Sequence, residues 1–313
     1  MTSASPGVRA KARTIAYSPR VPFELRCRLF YWNRRRSWST REPVTFNQKL
    51  LRKMALDRRP LLTTFADKVA VRDYVADAVG PDVLPHLHAV VDDPAELDPA
   101  QLPAQFVVKP THASGMIWIV SDRSSPRESA SGNSTHTMFA TTPDELDWDM
   151  LRAACRKWLA VNYANVEQEW AYGHVPPRIM VEELLEGADG QSPPDYKFFV
   201  FHGRARLVQV DTDRFSGHHR NFFRPDWTPV DARLIYPPAE HAPPRPDGLE
   251  EMVHVAEALG KDTDFVRVDL YDVAGRVVFG ELTSTPEGAR QAFSPESFEV
   301  ELGRYWNIPR RYA

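Results

Sequence analysis

The feature that most constrains the fold is a pair of apolar strand patterns, each interrupted by one carboxylate. Residues 264–284, DFVRVDLYDVAGRVVFGELTS, contain two runs of β-forming residues around Ala274-Gly275, which is the pattern of a tight hairpin. Asp269 lies in the first run and Glu281 in the second, so the two carboxylates can face each other across the hairpin. Because an isolated buried charge is costly, the pair indicates either a shared cation such as magnesium or two acids on an outward face. Strand alternation alone leaves both interpretations open.

The rest of the chain mixes helix and strand patterns, which predicts an α+β fold. Apolar spacing predicts helices at 22–31, 45–57 (with Thr45 as N-cap), 62–79, 145–163, 249–259 and 295–305. Strand patterns occur at 105–121, 177–185 and 197–211, and the first and last of these are each two strands around a turn. Residues 122–143 are typical of a solvent loop or insertion, and residues 1–20 of a flexible terminus.

Composition narrows the class of protein. The chain has 313 residues, of which 42% are hydrophobic and 26% charged, which is ordinary for a globular protein. It contains no apolar run of membrane-spanning length, and its N-terminus lacks the apolar core of a secretory signal. The two cysteines, Cys27 and Cys155, do not indicate a disulfide framework or a zinc site. We therefore expect a cytoplasmic protein.

Charge is distributed unevenly along the chain. Residues 1–60 contain 15 Lys and Arg against 3 acids, so they carry +12, and with 39 basic and 42 acidic residues in all the remainder carries −15. This basic, aromatic-rich head is suited to a polyanion or to peripheral contact with an anionic membrane surface. The alternative, slightly favoured, is that its arginines pair with the acidic body of the same protein.

Other polar residues interrupt the strand patterns. Lys109 ends an apolar strand before the small-residue loop THASGM, whose backbone N–H groups can hold phosphate oxygens. Arg267 shares a strand face with Asp269, and Lys197 shares one with Asp195, because strand side chains alternate with a period of two. Arg220, in DTDRFSGHHRNFF, is a further cation. The chain has neither a P-loop nor a dinucleotide-binding glycine motif.

Seven segments in order resemble the ATP-grasp superfamily, and most closely the TupA-like family of teichuronopeptide biosynthesis. They are ADKVAVRDYV, QFVVKPTHASGM, IMVEELLEG, DYKFFVF, HRNF, VRVDLY and FGELTSTPEG. The resemblance covers roughly residues 20–305. It implies two α+β lobes that clasp ATP between antiparallel sheets, with a basic N-terminal helical extension. The expected divisions are an extension at 1–60, an ATP-grasp domain at 61–305 (hairpin lobe 105–121, catalytic sheet lobe 177–290) and a tail at 306–313.

The resemblance also implies roles for individual residues. Those expected to contact ATP are Lys68 and Lys109 at the phosphates, Ser114 and Gly115 in the closing loop, Glu182, Glu183 and Leu184 in the adenine hinge, and Asp195 at the ribose. Lys197, Arg220 and Arg267 would surround the transferring phosphoryl group, and Asp269, Glu281 and Thr283 would bind Mg²⁺. The family usually has asparagine at the position of Thr283, and Gly115 is the loop's only glycine.

The activity implied by the resemblance is that of an ADP-forming ligase. Such enzymes use ATP and Mg²⁺ to activate a carboxylate as an acylphosphate, which an amine then attacks, here in cell-surface polysaccharide or peptide-polymer synthesis. The implied partners are a carboxylate and an amine, with an acidic glycan or peptide among the candidates, no nucleic acid, and a homodimer left open. One alternative is a kinase that phosphorylates a sugar or polyol hydroxyl. A non-enzymatic nucleotide- or polyanion-binding protein is the other, and the complete set of cations and carboxylates argues against it.

Overall fold

The computed structural model describes residues 18, 20–22, 25–27, 29, 42–123, 127–130, 137–187, 192–213 and 217–312. Within these ranges the chain forms two sheets with helices packed against them. No helix of the described residues is both long and apolar enough to cross a membrane. The side chains of Cys27 and Cys155 are both buried.

The first sheet has six strands in the order β1-β6-β2-β3-β5-β4. They are β1 (Leu87–Val91), β2 (Phe106–Pro110), β3 (Met116–Val120), β4 (Arg127–Ala130), β5 (Thr137–Thr141) and β6 (Ile179–Glu182). All neighbours are antiparallel except β3 and β5, which are parallel. The helix Trp148–Leu159 covers this sheet with Leu151, Cys155 and Trp158, which pack with Trp118 and Val108.

The second sheet has five antiparallel strands in the order β11-β10-β7-β8-β9. They are β7 (Asp195–Phe201), β8 (Arg204–Thr212), β9 (His219–Phe223), β10 (Phe265–Val273) and β11 (Arg276–Thr283). Phe198 and Phe199 are adjacent and point to opposite faces, and each lies in a separate buried cluster. Both faces of the sheet are therefore covered, which explains why its strands read as nearly continuous apolar runs.

Helices cover both faces of the second sheet. They are α1 (Phe46–Leu56), α2 (Pro60–Ala66), α3 (Ala70–Val79), α4 (Trp148–Leu159), α5 (Tyr163–Glu167), α6 (Leu249–Leu259) and α7 (Glu296–Arg304). Helices α3 and α6 pack on the Phe198 face, and α1 and α7 pack on the Phe199 face. The covering helices come from both ends of the chain, so the fold is closed by long-range contacts.

Helix α1 begins as its sequence predicts. The Thr45 side chain accepts a hydrogen bond from the Gln48 backbone N–H, and the Gln48 side-chain oxygen accepts one from the Thr45 backbone N–H, which is a complete capping box. Near its end, the Lys53 ammonium lies 3.0 Å from Asp57 Oδ2 and 2.7 Å from Asp264 Oδ1, and Arg59 Nη2 lies 2.8 Å from the same Asp264 oxygen. These two cations of the basic head thus pair with acids of the folded body.

Several of the predicted elements are confirmed. The helices at 45–57, 249–259 and 295–305 correspond to α1, α6 and α7, and the three predicted hairpins are β2–β3, β7–β8 and β10–β11. The strand predicted at 177–185 is the shorter β6. In the predicted helix at 22–31, the described residues 25–27 and 29 are helical. The predicted flexibility of residues 1–20 falls almost entirely outside the described residues.

Other predictions are wrong in instructive ways. The helix predicted at 62–79 is two helices, because the Asp67 carboxylate accepts hydrogen bonds from the Val69 and Ala70 backbones and starts a new helix there. The helix predicted at 145–163 ends at Leu159, and α5 follows it. The loop predicted at 122–143 contains β4 and β5, and β5 is held by parallel pairing with β3 that no local pattern signals.

The predicted domain bounds remain a prediction, although two contacts bear on them. Phe46, inside the predicted extension, packs its ring against Phe265 with centroids 5.1 Å apart. Trp306, in the predicted tail, is fully buried, and its indole N–H donates to Asp264 at 2.8 Å. Both ends of the chain therefore contribute to the core of the second sheet.

We predict that Phe46→Ala lowers the free energy of unfolding by about 3–5 kcal/mol, because a large buried ring is removed from a cluster that cannot fully collapse. Phe46 is 3% exposed, whereas Val44, two residues earlier, is 57% exposed. Denaturant unfolding of both alanine variants checks this. Val44→Ala should change the value by less than about 0.5 kcal/mol. Equal effects of the two substitutions would contradict the placement of α1.

Candidate functional site

The centre of the site is a row of charged side chains across three neighbouring strands. Asp269 of β10 pairs in register with Glu281 of β11 on one side and with Lys197 of β7 on the other. A bulge makes the first pairing possible, since the register shifts just after Asp269. Gly280 lies at the bulge, where a Cβ atom would come within 3.1 Å of the Asp269 carbonyl oxygen. The predicted face-to-face arrangement of the two carboxylates is confirmed.

Two cations join this row. Lys197 Nζ lies 2.6 Å from Asp269 Oδ2 and also bonds Asp195. Arg267 donates two hydrogen bonds to Asp269, from Nε to Oδ1 and from Nη2 to Oδ2, each at 2.7 Å. Its Nη2 also lies 3.0 Å from both Glu281 Oε1 and Thr283 Oγ1. Six of the predicted site residues, Asp195 among them, therefore form one connected network.

Burial and charge act in opposite directions on the two facing carboxylates. Burial raises the pKa of Asp269 to about 6, against the lowering effect of Arg267 and Lys197. Burial also acts to raise the pKa of Glu281, but Arg267, Lys197 and Lys68 outweigh it and lower the value to about 2. The pKa of the Arg267 guanidinium is raised because its carboxylate partners outweigh the cost of burial. Glu281 is thus a permanent anion at neutral pH.

The first sheet contributes a second set of charged side chains, which lie close to this row. Lys109, at the end of β2, forms an ion pair with Glu182 at the end of β6, and both side chains are partly exposed. Lys68, between α2 and α3, donates to the carbonyl of Ala113 in the β2–β3 loop. Burial lowers the pKa of Lys68, and the charges of Glu281 and Glu182 both act to raise it. Lys68 therefore lies between the two sheets.

The segment after β6 ties the sheets together. Both carboxylate oxygens of Glu183 accept hydrogen bonds from Arg276 Nη2 of β11, at 3.1 and 3.2 Å. Glu183 also accepts a hydrogen bond from the His86 backbone N–H at 2.9 Å. Burial acts to raise the pKa of Glu183, but these donors outweigh it and the pKa is lowered. Leu184 follows it, half-buried, in a segment without regular structure. The predicted adenine hinge thus passes between the two sheets.

The loop between β2 and β3 contains Ser114 and Gly115. Ser114 is half-buried, and Gly115 is exposed with φ of +78°. That left-handed backbone conformation is one that glycine adopts without strain. The Gly115 carbonyl accepts the Thr137 backbone N–H at 2.9 Å, so the loop is anchored to the start of β5.

Arg220 lies beside the row in a separate ion pair. It holds Asp211 of β8 with two hydrogen bonds, Nε to Oδ1 at 2.6 Å and Nη2 to Oδ2 at 2.9 Å. Asp211 itself is opposite Asp195 in the sheet, which places the pair next to Lys197. The Arg220 guanidinium also lies over the Tyr236 ring, 5.0 Å from its centroid, and 3.8 Å from Glu287.

Sequence reasoning missed several polar residues of the site. Asp211 lies opposite Asp195 because a bulge shifts the β7–β8 register between Phe199 and Val200, and a regular hairpin would have paired Asp195 with Val210 instead. Glu169 was not detectable, since the stretch before β6 carries no periodic pattern. The Thr285 hydroxyl donates to the Glu169 carboxylate, and burial raises the pKa of Glu169 to about 7. Glu167 is paired with Arg290 close by.

The donor set of the row suits a magnesium ion. Asp269, Glu281 and Thr283 offer carboxylate and hydroxyl oxygens within one network, and hard cations prefer such ligands. Among the residues that the structure describes, no group of three or more His, Cys, Asp or Glu side chains is arranged to hold a metal. Two carboxylates and a hydroxyl fit an ion that takes its other ligands from a nucleotide and water.

Two sheets that bring lysines, arginines and paired carboxylates together are the arrangement that the resemblance to the ATP-grasp proteins implied. The profile described as TupA-like ATPgrasp matches residues 47–307. The chain therefore belongs to the TupA-like ATP-grasp family. No curated protein sequence matches it significantly.

Solved structures give distant matches. The ATP complex of D-alanine–D-alanine ligase from Bacillus anthracis is 13% identical, and the match covers 72% of this chain and 56% of that one with a TM-score of 0.39. L-amino acid ligase from Bacillus licheniformis is 16% identical over 76% of this chain and 47% of that one, with a TM-score of 0.42. The chain spans about half of the length of these two ligases.

We predict that Asp211→Asn lowers the free energy of unfolding at pH 7 by about 3–5 kcal/mol, because it leaves Arg220 buried with an uncompensated charge. Burial alone would raise the pKa of Asp211, but His218 and Arg220 outweigh it and lower the value well below the usual range. The wild-type advantage is therefore present above the unfolded-state pKa of about 3.9 and disappears as pH falls through the lower folded-state value.

Denaturant unfolding from pH 7 down to about pH 3 checks this pH dependence. The exposed Asp231, converted to Asn, is the matched control and should change stability by less than about 0.5 kcal/mol. An advantage that stays constant across that range would show that the ionised Asp211 carboxylate does not stabilise the fold.

Proposed function

We propose that the chain is an ATP- and Mg²⁺-dependent ligase that joins a carboxylate to an amine and forms ADP and phosphate. The observation that carries the proposal is the connected row of Lys197, Asp269, Arg267 and Glu281, which faces Lys68 and Lys109 across the cleft. Phosphoryl transfer needs cations and metal ligands at fixed positions around a moving negative charge, and it needs no covalent nucleophile from the protein. Family membership supports the same assignment.

In the proposed reaction, a carboxylate oxygen of the substrate attacks the γ-phosphorus of ATP. The bond from that phosphorus to the β,γ-bridging oxygen breaks, and ADP leaves with the bond's electron pair. The amine nitrogen then attacks the acyl carbon, the C–O bond breaks, and phosphate leaves while the nitrogen loses a proton. Lys197 and Arg267 stabilise the charge that spreads over the transferring group, and Arg220, next to Lys197, completes the set of cations.

The other predicted residues receive roles consistent with their positions. Lys68 and Lys109 bind phosphate oxygens from the side of the first sheet, and Ser114 and Gly115 belong to a loop that closes over them. Glu182, Glu183 and Leu184 line the adenine, and Asp195 is assigned to the ribose through its place beside Lys197. Asp269, Glu281 and Thr283 would hold magnesium, which when bound neutralises phosphate charge.

We also propose a place for the reaction, cell-surface polysaccharide or peptide-polymer synthesis from the cytoplasmic side. The family to which the chain belongs supports this. Residues 1–41 hold most of the arginines of the basic head, and an acidic glycan, an acidic peptide or an anionic membrane surface would be attracted to them. A homodimer is compatible with this arrangement.

The mass of the product tests the reaction class. Protein, ATP and Mg²⁺ are incubated with paired panels of carboxylates and amines, and ADP and product masses are followed. We expect ADP formation that requires both substrates and a product lighter than their sum by one water. A product heavier by one phosphate, with no need for an amine, would instead identify a kinase. Absence of ATP binding would contradict the proposal as a whole.

We predict that Asp269→Asn lowers kcat for ADP formation by about 100-fold or more, since it removes a carboxylate from the metal site and from the Lys197–Arg267 network. Steady-state kinetics with ATP as the varied substrate measures the effect. Asp262→Asn, an exposed acid near the start of the same strand, is the matched control and should retain wild-type kcat. Circular dichroism of both variants confirms that each is folded. A folded Asp269→Asn variant with wild-type kcat would remove Asp269 from the mechanism.

A further inference from the structure

A second cleft opens directly beside the charged row. It is lined by the end of β11, by the end of α1, by α2 and by the turn that follows α5. Thr283 belongs to both places: it lines this cleft, and its hydroxyl bonds Glu281 and accepts from Arg267, each at 3.0 Å. A molecule in the cleft would therefore reach the atoms around which the phosphoryl group is transferred.

The polar groups of this cleft are not satisfied in the way that a packed core requires. Within the described part of the chain, Ser284 Oγ is buried and has no hydrogen-bond partner. Glu169 accepts a hydrogen bond from Thr285, but no described cation forms an ion pair with it. Arg290, the nearby guanidinium, is bonded to Glu167 instead. Buried polar groups normally have partners, so these two side chains are suited to a ligand.

The charge balance of the cleft favours a cation. Three charged side chains line it, Lys53, Asp57 and Glu169. Lys53 is neutralised by Asp57 and Asp264, which leaves the Glu169 carboxylate as the charge without a countercharge among them. Burial raises the pKa of Glu169, and the Thr285 hydroxyl and the Arg290 charge act against that rise without cancelling it. A carboxylate substrate would be repelled here, whereas an ammonium group would be attracted.

From this geometry we infer that the cleft between Glu169, Ser284 and Thr283 binds the amine substrate through its primary ammonium group. Glu169 forms the ion pair with the ammonium, and Ser284 Oγ accepts one of its hydrogens. Trp170 and Tyr172 form apolar walls that limit the access of water. The inference rests on the proposed ligase function. It places the nucleotide on one side of Thr283, at the charged row, and the amine on the other side, in this cleft.

The test uses the full chain and alaninamide as the probe, with propionamide as the same molecule without its ammonium group. Ligand-observed NMR titration measures the dissociation constant of each probe in wild-type, Glu169→Gln and Glu251→Gln protein. Glu251 is an exposed acid of α6 and serves as the matched control. We expect alaninamide to bind to the wild type and propionamide not to bind. Glu169→Gln should weaken alaninamide binding by about tenfold or more, and Glu251→Gln should leave it unchanged.

A second variant guards against a folding defect at Glu169. Ser284→Ala removes a hydroxyl that has no partner among the described residues, so it should leave the unfolding midpoint unchanged while weakening alaninamide binding severalfold. Binding that is equal in all four proteins, or no binding of alaninamide to the wild type, would overturn the inference. Displacement of alaninamide from the wild type by N-acetylalanine, an anion without an ammonium group, would assign the cleft to the carboxylate substrate instead.

ATP binding, followed in the same samples, separates this inference from the proposed function. ATP binding with no response of alaninamide to Glu169→Gln would reject the amine cleft and leave the ligase proposal intact. If the wild type does not bind ATP, the ligase proposal is rejected. Saturable, Glu169-dependent binding of alaninamide would then still identify an ammonium site.

Discussion

The structure depends on a cluster of charges held within a sheet that is apolar on both faces. Asp269, Lys197 and Arg267 are all nearly inaccessible to solvent, and burying any one of them without its partners would be costly. Their pairing requires β7, β10 and β11 to keep one register, because a slip of one residue turns these side chains to the opposite face. Phe265, Arg267 and Asp269 alternate with Val266, Val268 and Leu270, so the ion network lies on the same face as the aromatic core around Phe46. The two therefore specify the same strand alignment.

The two sheets contribute different kinds of residues to the cleft between them. The second sheet supplies a rigid, fully paired network, whereas the first supplies Lys109, Glu182 and a loop with an exposed glycine. Polar contacts between described residues connect the two sides, among them Lys68 to the Ala113 carbonyl, Glu183 to Arg276, and Arg178 to Asp67. Contacts of this kind are weaker than the packing within either sheet, so a change in the angle between the sheets costs less than a change inside one of them. That property suits an enzyme that must close around a nucleotide and then release it.

Membership of the ATP-grasp class and the geometry of the row lead to the same proposed chemistry, but they leave the acceptor open. The cleft at Glu169 narrows that choice, since its charge and its unpartnered hydroxyl favour an ammonium group over an anion. With the amine on one side of Thr283 and the nucleotide on the other, an activated carboxylate between them would meet its nucleophile without crossing open solvent. In the basic head, Lys53 and Arg59 are paired with Asp264, so these two cations stabilise the fold rather than bind an acidic acceptor.

The sequence by itself determined the local parts of this molecule. Short-range rules were enough for the hairpin of β10 and β11 and for the shared face of Arg267 and Asp269, whereas the pairing of Asp269 with Glu281 also needs the bulge at Gly280. The capping box at Thr45 and the ends of α6 followed from local chemistry in the same way. Tertiary structure alone decided the rest: the parallel pairing of β5 with β3, the Glu183–Arg276 contact, and the meeting of Glu169 with Thr285. These join residues from about 20 to more than 100 positions apart through sheet order and chain crossing, and no periodicity in the sequence records which distant segments will lie side by side.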